Sequence, residues 1–235
     1  MVSSNTGPFH KQLFFTNSEF ENICKEALKS VDLYPDYPQP IRIDRFIEKK
    51  FGCYPVFEGL EEGILGFTEF GEKGVESIVV SKTLDDENDD VTRRRLNTTL
   101  AHEAGHGLLH THLFLFRDNT LNIFNNDDVE QTKVLCRNDA ISGISEKTSR
   151  KYDGRWWEFQ ANKAMSMLLL PKDLVTDSLR SLLDKRGIME IPVLPQEKRR
   201  DAISLISDTF DVNPIVGRIR LDELFPNEKN QQLTL

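Results

Sequence analysis

Residues 92–116 read TRRRLNTTLAHEAGHGLLHTHLFLF. The stretch has no proline, Asp89, Asp90 or Thr92 can cap its start, and Leu96, Leu100, Leu108 and Leu109 recur through it. One long helix of about seven turns is predicted. Four of the chain's five histidines fall inside it, at His102, His106, His110 and His112. Its leucines require it to be largely buried, and buried imidazoles and carboxylates need partners.

The centre of the stretch is His102-Glu103-x-x-His106. Residues four apart on a helix lie about 40° apart around its axis and one turn along it, so both imidazoles can reach one metal ion. Glu103 projects about 100° from His102 and can stand beside an attacking water as its general base. Catalytic zinc takes three protein ligands and keeps one open position. His112 stands where the pattern HExxHxxGxxH would put the third ligand, but Leu109 replaces the glycine that would turn the chain back. His110 shares the correct face but lies too far along the axis; it is a helper of a ligand, a substrate-facing residue or a capped surface histidine. The other route is Glu158 in WWEFQANKAMSMLLLP, residues 156–171, which shares a face with Ala161, Asn162, Met165 and Leu169. On an inward stripe that carboxylate would need a positive partner such as zinc; at the stripe's edge it would be solvated. The helix alone leaves both open.

Outward from these two helices the chain reads as α+β. Residues 18–31 form an amphipathic helix, with Ser18 as N-cap and Glu21 completing a capping box. YPDYPQP, residues 34–40, cannot be regular, and Ile43, Phe46 and Ile47 start a second helix that Gly52 ends. YPVF (54–57), ILGFTEF (64–70) and VESIVVS (75–81) read as strands of a small antiparallel sheet packed on the HExxH helix, because their connections are too short for crossover helices. DDENDD (85–90) reads as a solvated loop and 117–150 as an irregular insertion. Pro171 ends the helix that carries Glu158. Helices near 173–186, 196–210 and from Asn213-Pro214 make the C-terminal part mostly helical. The expected organisation is a lead-in over 1–40, a core over 41–171 holding the insertion 117–150, and a helical segment over 172–235 packed on that core.

Composition narrows the function classes. The chain has 235 residues and a net charge of −8, which argues against a broad nucleic-acid surface. Direct nucleic-acid binding is not expected. No apolar run approaches the roughly 18 residues needed to span a bilayer, and the start lacks the pattern of a secretory signal, so the cytoplasm is the expected compartment and no membrane partner is expected. Cys24, Cys53 and Cys136 are odd in number and form no CxxC pair, which suits reduced thiols. The acidity is uneven: the first 90 residues carry 18 acidic and 9 basic side chains, the rest being nearly balanced. If the sheet borders the cleft, that side would attract a basic substrate.

RRRLNTTLAHEAGHGLLH followed by EFQANKAMSMLLLP resembles the ImmA/IrrE family of cytoplasmic metallopeptidases, with the active helix and the later E-x-x-AN-x-x-A helix in the family's order. QPIRIDRFIEKKFGC upstream and FDVNPIVGRIRLDELF downstream are similar to that family as well, so the resemblance covers most of residues 25–225. It implies that His102, His106 and Glu158 bind zinc, that Glu103 is the catalytic base, and that the substrate is a helix-turn-helix transcriptional repressor. Two departures stand out: 52 residues separate His106 from Glu158, so 117–150 is an insertion, and no DNA-binding module is apparent at the N-terminus.

Weaker expectations complete the reading. Mn2+ or another divalent ion can occupy the same ligands as Zn2+. Tyr152, Arg155 and His110 are candidates to hold an oxyanion, and Asn162 either orients a metal ligand or packs as a helix amide. VESIVVS is the expected edge for strand addition by a substrate. Trp156 and Trp157 are expected as core and rim anchors, and Cys136 as a buried thiol or an accessory metal ligand. Arg93, Arg94 and Arg95 oppose the dipole at the start of their helix and are expected to answer DDENDD, an external anion or water. The last two helices have the outline of a helix-turn-helix but balanced charge, so packing on the core is expected. The rival to a peptidase is a catalytically silent zinc-containing sensor or DNA-binding regulator; an intact Glu103 favours the enzyme.

Overall fold

A computed structural model of the chain describes residues 13–85, 89–115, 133–137 and 156–226. The architecture is α+β, as expected. Seven α-helices accompany a four-stranded sheet and a two-stranded hairpin among the described residues.

The long helix forms as α3, Asp90–Leu115. Asp89 starts it by accepting from the backbone N–H groups of Val91 and Thr92, each at 3.2 Å, which satisfies donors that a helix start leaves open. From Thr98 to Gly107 every residue of α3 is buried. A helix buried all round must have neighbours on every side. The sheet covers one side, α2 (Ile43–Phe51) another, and α4 (Trp156–Leu169) packs along it.

α1 spans Asn17–Lys29, and its cap lies two residues before the expected one. Thr16 and Glu19, not Ser18 and Glu21, form the capping box. Both pairs fit the same spacing, and Glu21 is occupied elsewhere, by Arg220. α2 ends at Gly52 in the left-handed conformation (φ 75°), as its sequence predicts.

The sheet departs from the expectation of an antiparallel one. β1 (Pro55–Glu58), β2 (Ile64–Gly71), β3 (Gly74–Ser81) and β4 (Lys133–Arg137) lie in the order β1-β3-β2-β4. β2 and β3 form an antiparallel hairpin, and β4 is antiparallel to β2, but β1 runs parallel to β3. The short connection after β1 reverses the chain as expected; β3 then inserts between β1 and β2, so β1 acquires a parallel neighbour. Two further expectations fall with this order. VESIVVS is the interior strand β3: β2 pairs along one edge and β1 along the other over Ile78–Ser81, so it is not the free sheet edge expected for a substrate strand. The segment 117–150 is not irregular throughout, since β4 extends the sheet from within it.

After α4 the chain turns at Pro171 into α5 (Lys172–Ser178). The helix expected to 186 stops there: Asp184–Arg186 and Ile191–Val193 pair as a hairpin, β5 and β6. α6 (Arg199–Phe210) and α7 (Pro214–Leu224) follow, the second capped by the Asn213 side chain with Pro214 in its first turn.

The last pair of helices packs on the rest of the chain. Arg220 is fully buried; its Nε donates to the Leu170 carbonyl at 2.9 Å, and its other nitrogens pair with Glu21 and Glu223. At the far end, Arg93 and Arg94 both donate to Asp211, the left-handed cap of α6, at 2.8–2.9 Å. Arg93 also reaches Asp90, at the end of the acidic run, and Arg94 reaches Asp208. These arginines therefore clamp α3 to the turn between α6 and α7 rather than binding an external anion.

Candidate metal centre

α3 and α4 run in opposite directions: His102 meets Asn162, and about two turns further along α3 His110 stacks edge-on against Trp156, ring centroids 5.6 Å apart. Their backbones approach closely at Gly105, inside the motif. A Cβ on Gly105 would lie 2.9 Å from the Ala161 carbonyl oxygen and 3.1 Å from the Ala164 Cβ. Small residues on both helices bring the first turn of α4 over the motif, and with it Glu158.

Glu158 consequently faces both histidines. Its Oε2 is 3.2 Å from Nε2 of His102, its Oε1 is 3.6 Å from Nε2 of His106, and the two Nε2 atoms are 3.0 Å apart. All three residues are buried. Burial pushes the Glu158 carboxyl up, but the His102 and His106 rings outweigh it and hold the group well below the usual carboxylate range. Burial, opposed by Glu158, lowers His106 and favours its neutral ring. Two imidazole nitrogens and a carboxylate converging out of water require something positive between them. The group is able to hold a metal ion, and the donor set, two imidazole nitrogens and one carboxylate oxygen, matches that of catalytic zinc sites.

The outer nitrogens of the ligand rings are held too. Nδ1 of His102 lies 3.0 Å from Oδ1 of Asn162, and Nδ1 of His106 lies 2.9 Å from Nδ1 of His110. Carbonyl-type oxygens opposite the outer nitrogen fix a ligand ring's tautomer and orientation. Asn162 therefore faces the His102 ring and is not a helix-packing amide alone. His110 is 1% exposed, so it is not a surface histidine. Burial, and then His106, holds it well below the usual histidine range. His112 does not join the group, because α3 continues unbroken to Leu115. Tyr152 and Arg155 lie outside the described residues, as does the side chain of Cys136.

Glu103 sits on the sheet side of α3. The Thr68 hydroxyl donates to its Oε2 at 2.6 Å and lies 3.1 Å from its backbone carbonyl. Gly66, two residues earlier on β2, leaves room for the carboxylate: a Cβ there would lie 3.4 Å from Glu103 Oε1 and 2.9 Å from the Val79 carbonyl oxygen. Sequence reasoning missed Gly66, Thr68 and Gln160. Thr68 had a signal, a lone hydroxyl in the apolar strand ILGFTEF. Gln160 was masked by its neighbour: Phe159 is 55% exposed whereas Gln160 is buried, the reverse of what their side chains suggest.

Comparison with protein-family models gave no match, and comparison with curated proteins gave none either. The site therefore rests on its own geometry. Among the described residues no helix is long and apolar enough to cross a membrane.

Proposed function

We propose that this chain is a zinc-dependent endopeptidase of the ImmA/IrrE type, acting on an intracellular protein, with a helix-turn-helix transcriptional repressor as the expected substrate. The observation that carries the reading is the convergence of His102, His106 and Glu158, with Glu103 one residue from the first ligand and held on the opposite, sheet side. His102, His106 and Glu158 would hold the metal, which when bound polarises a carbonyl and makes water acidic near neutral pH. Glu103 accepts a proton from the attacking water and passes it to the leaving amine. The Thr68 hydroxyl fixes one oxygen of that carboxylate. Asn162 holds His102 in the tautomer whose Nε2 offers a lone pair.

The sheet beside Glu103 carries exposed Glu58, Glu61, Glu62, Glu72 and Glu76. This concentration of negative charge supports a basic substrate, which DNA-binding proteins commonly are. Cleavage is then expected to slow as salt is added.

The test is incubation of the zinc-loaded chain and its Glu103→Gln variant with candidate repressors, foremost one encoded beside it. Cleavage by the wild type alone is expected. Zinc bound by both with no cleavage of any partner, together with salt-sensitive binding to duplex DNA, would replace the peptidase by a silent regulator.

A further inference from the structure

The hydrogen bonding of His106 does not stop at His110. Nε2 of His110 lies 3.2 Å from Oε1 of Gln160, and Nε2 of Gln160 donates to the backbone carbonyl of Leu13 at 2.5 Å. His110 and Gln160 are 1% and 4% exposed, so protein atoms supply these partners.

Each link permits one direction only. A backbone carbonyl accepts and never donates, so the Gln160 amide nitrogen faces Leu13 and its oxygen faces His110. That oxygen accepts, which puts the proton of the neutral His110 ring on Nε2 and a lone pair on Nδ1. His106 must then donate from Nδ1, which leaves the lone pair on Nε2, the atom that meets Glu158 and His102. The far end of the relay is itself anchored. Phe15 packs on Phe20 with ring centroids 5.3 Å apart, and Thr16 caps α1, which fixes the chain three residues beyond Leu13.

We propose that Gln160, oriented by the Leu13 carbonyl, is a positioning residue that sets the metal-binding tautomer of His106 through His110, so that the segment leading into α1 tunes the affinity of the metal centre. The inference rests on the metal reading of His102, His106 and Glu158, and not on peptidase activity. His102 is served by Asn162 in one step; His106 depends on a backbone atom 93 positions before it in the chain.

The experiment compares wild type, Gln160→Leu and Gln160→Glu as full-length chains, by zinc competition against a chromogenic chelator and by long-range 1H–15N spectra of the histidines without metal. The wild type is expected to carry the His106 proton on Nδ1. Gln160→Leu is expected to lose zinc affinity about tenfold or more, the usual effect of removing a partner behind a ligand, and to lose the single tautomer. Gln160→Glu, its buried carboxyl protonated, donates to Leu13 and accepts from His110 as the amide does, and is expected to stay within about threefold of wild type with the His106 proton still on Nδ1. It also keeps the test alive if Gln160→Leu fails to fold. Equal affinity and an unchanged tautomer in Gln160→Leu would overturn the relay, and so would an equal loss in both variants. A wild-type chain that takes up no zinc would overturn the metal centre itself. Zinc binding without peptide cleavage would sink the peptidase and leave the relay standing.

Discussion

Arg220 and the His102–His106–Glu158 group lie at the two ends of α4, and they bury polar atoms in opposite ways. Arg220 brings its own cation, and the Leu170 carbonyl, Glu21 and Glu223 converge on it. The other group brings one carboxylate and two imidazole nitrogens to a point, with acceptors behind the rings that take the Nδ1 protons and turn lone pairs inward. The first arrangement is complete as a structural tie. The second is chemically directed toward a cation from outside, and that difference is what separates a candidate site from buried charge in general.

The largest expected effect sharpens this contrast. Zinc at about a thousand times its dissociation constant is expected to stabilise the wild type by about 4 kcal/mol, read as a rise in the denaturation midpoint. Glu158→Gln is expected to show no such rise at the same zinc concentration. An equal rise in both would move the ligand set away from α4. Next comes Arg220→Met, which leaves buried acceptors without their cation and is expected to cost about 3 kcal/mol with or without zinc. A loss confined to the zinc-loaded protein would erase the distinction between the two centres.

Gly105→Ala acts on both ends of the comparison through the α3–α4 contact. Its Cβ would meet the Ala161 backbone at 2.9 Å, so α4 must shift, at a cost of about 2 kcal/mol. Because Glu158 rides on α4, zinc affinity should fall with stability; lost stability with unchanged affinity would show that the ligand set tolerates the shift. The smallest effect concerns Asp211, whose carboxyl is held below its usual range chiefly by hydrogen bonds from Arg93, against partial burial, and further by Arg94. A depressed carboxyl stabilises the fold above its unfolded value of about 3.9 and loses that contribution as pH falls through the lower folded value. Asp211→Asn, which tolerates the left-handed cap, is expected to cost about 1 kcal/mol at pH 6. The gap to wild type should close as pH drops below about 4. A gap that persists at pH 2 would assign the loss to the cap and not to the charge.

How legible these features were depends on how far apart along the chain their parts lie. His102, Glu103 and His106 were readable because helical periodicity alone puts them in place, and Gly52, Pro171 and Asn213 because each acts on its own neighbours. Glu158 could be read only as an unanswered carboxylate, since its partners come from another helix. The place of β1 beside β3 and the five-residue strand β4 depend on which sheet edge is open, a tertiary property. Arg93 and Arg94 find Asp211 at separations of 118 and 117 residues. The partner of Gln160 is a main-chain carbonyl, which every residue carries and which no side-chain pattern marks.

The pairing of Glu21 with Arg220, 199 positions apart, joins the first described helix to the last. Closing so long a loop adds little to the equilibrium cost, because that cost grows only with the logarithm of length, but it delays folding. During synthesis α3 is finished well before α4 has emerged, and α4 before α7. Translation order therefore withholds the proposed third ligand: a ribosome-bound chain that stops short of Glu158 carries the HExxH motif without the centre it would serve, and the tie that closes α1 onto α7 forms only once α7 itself has been made.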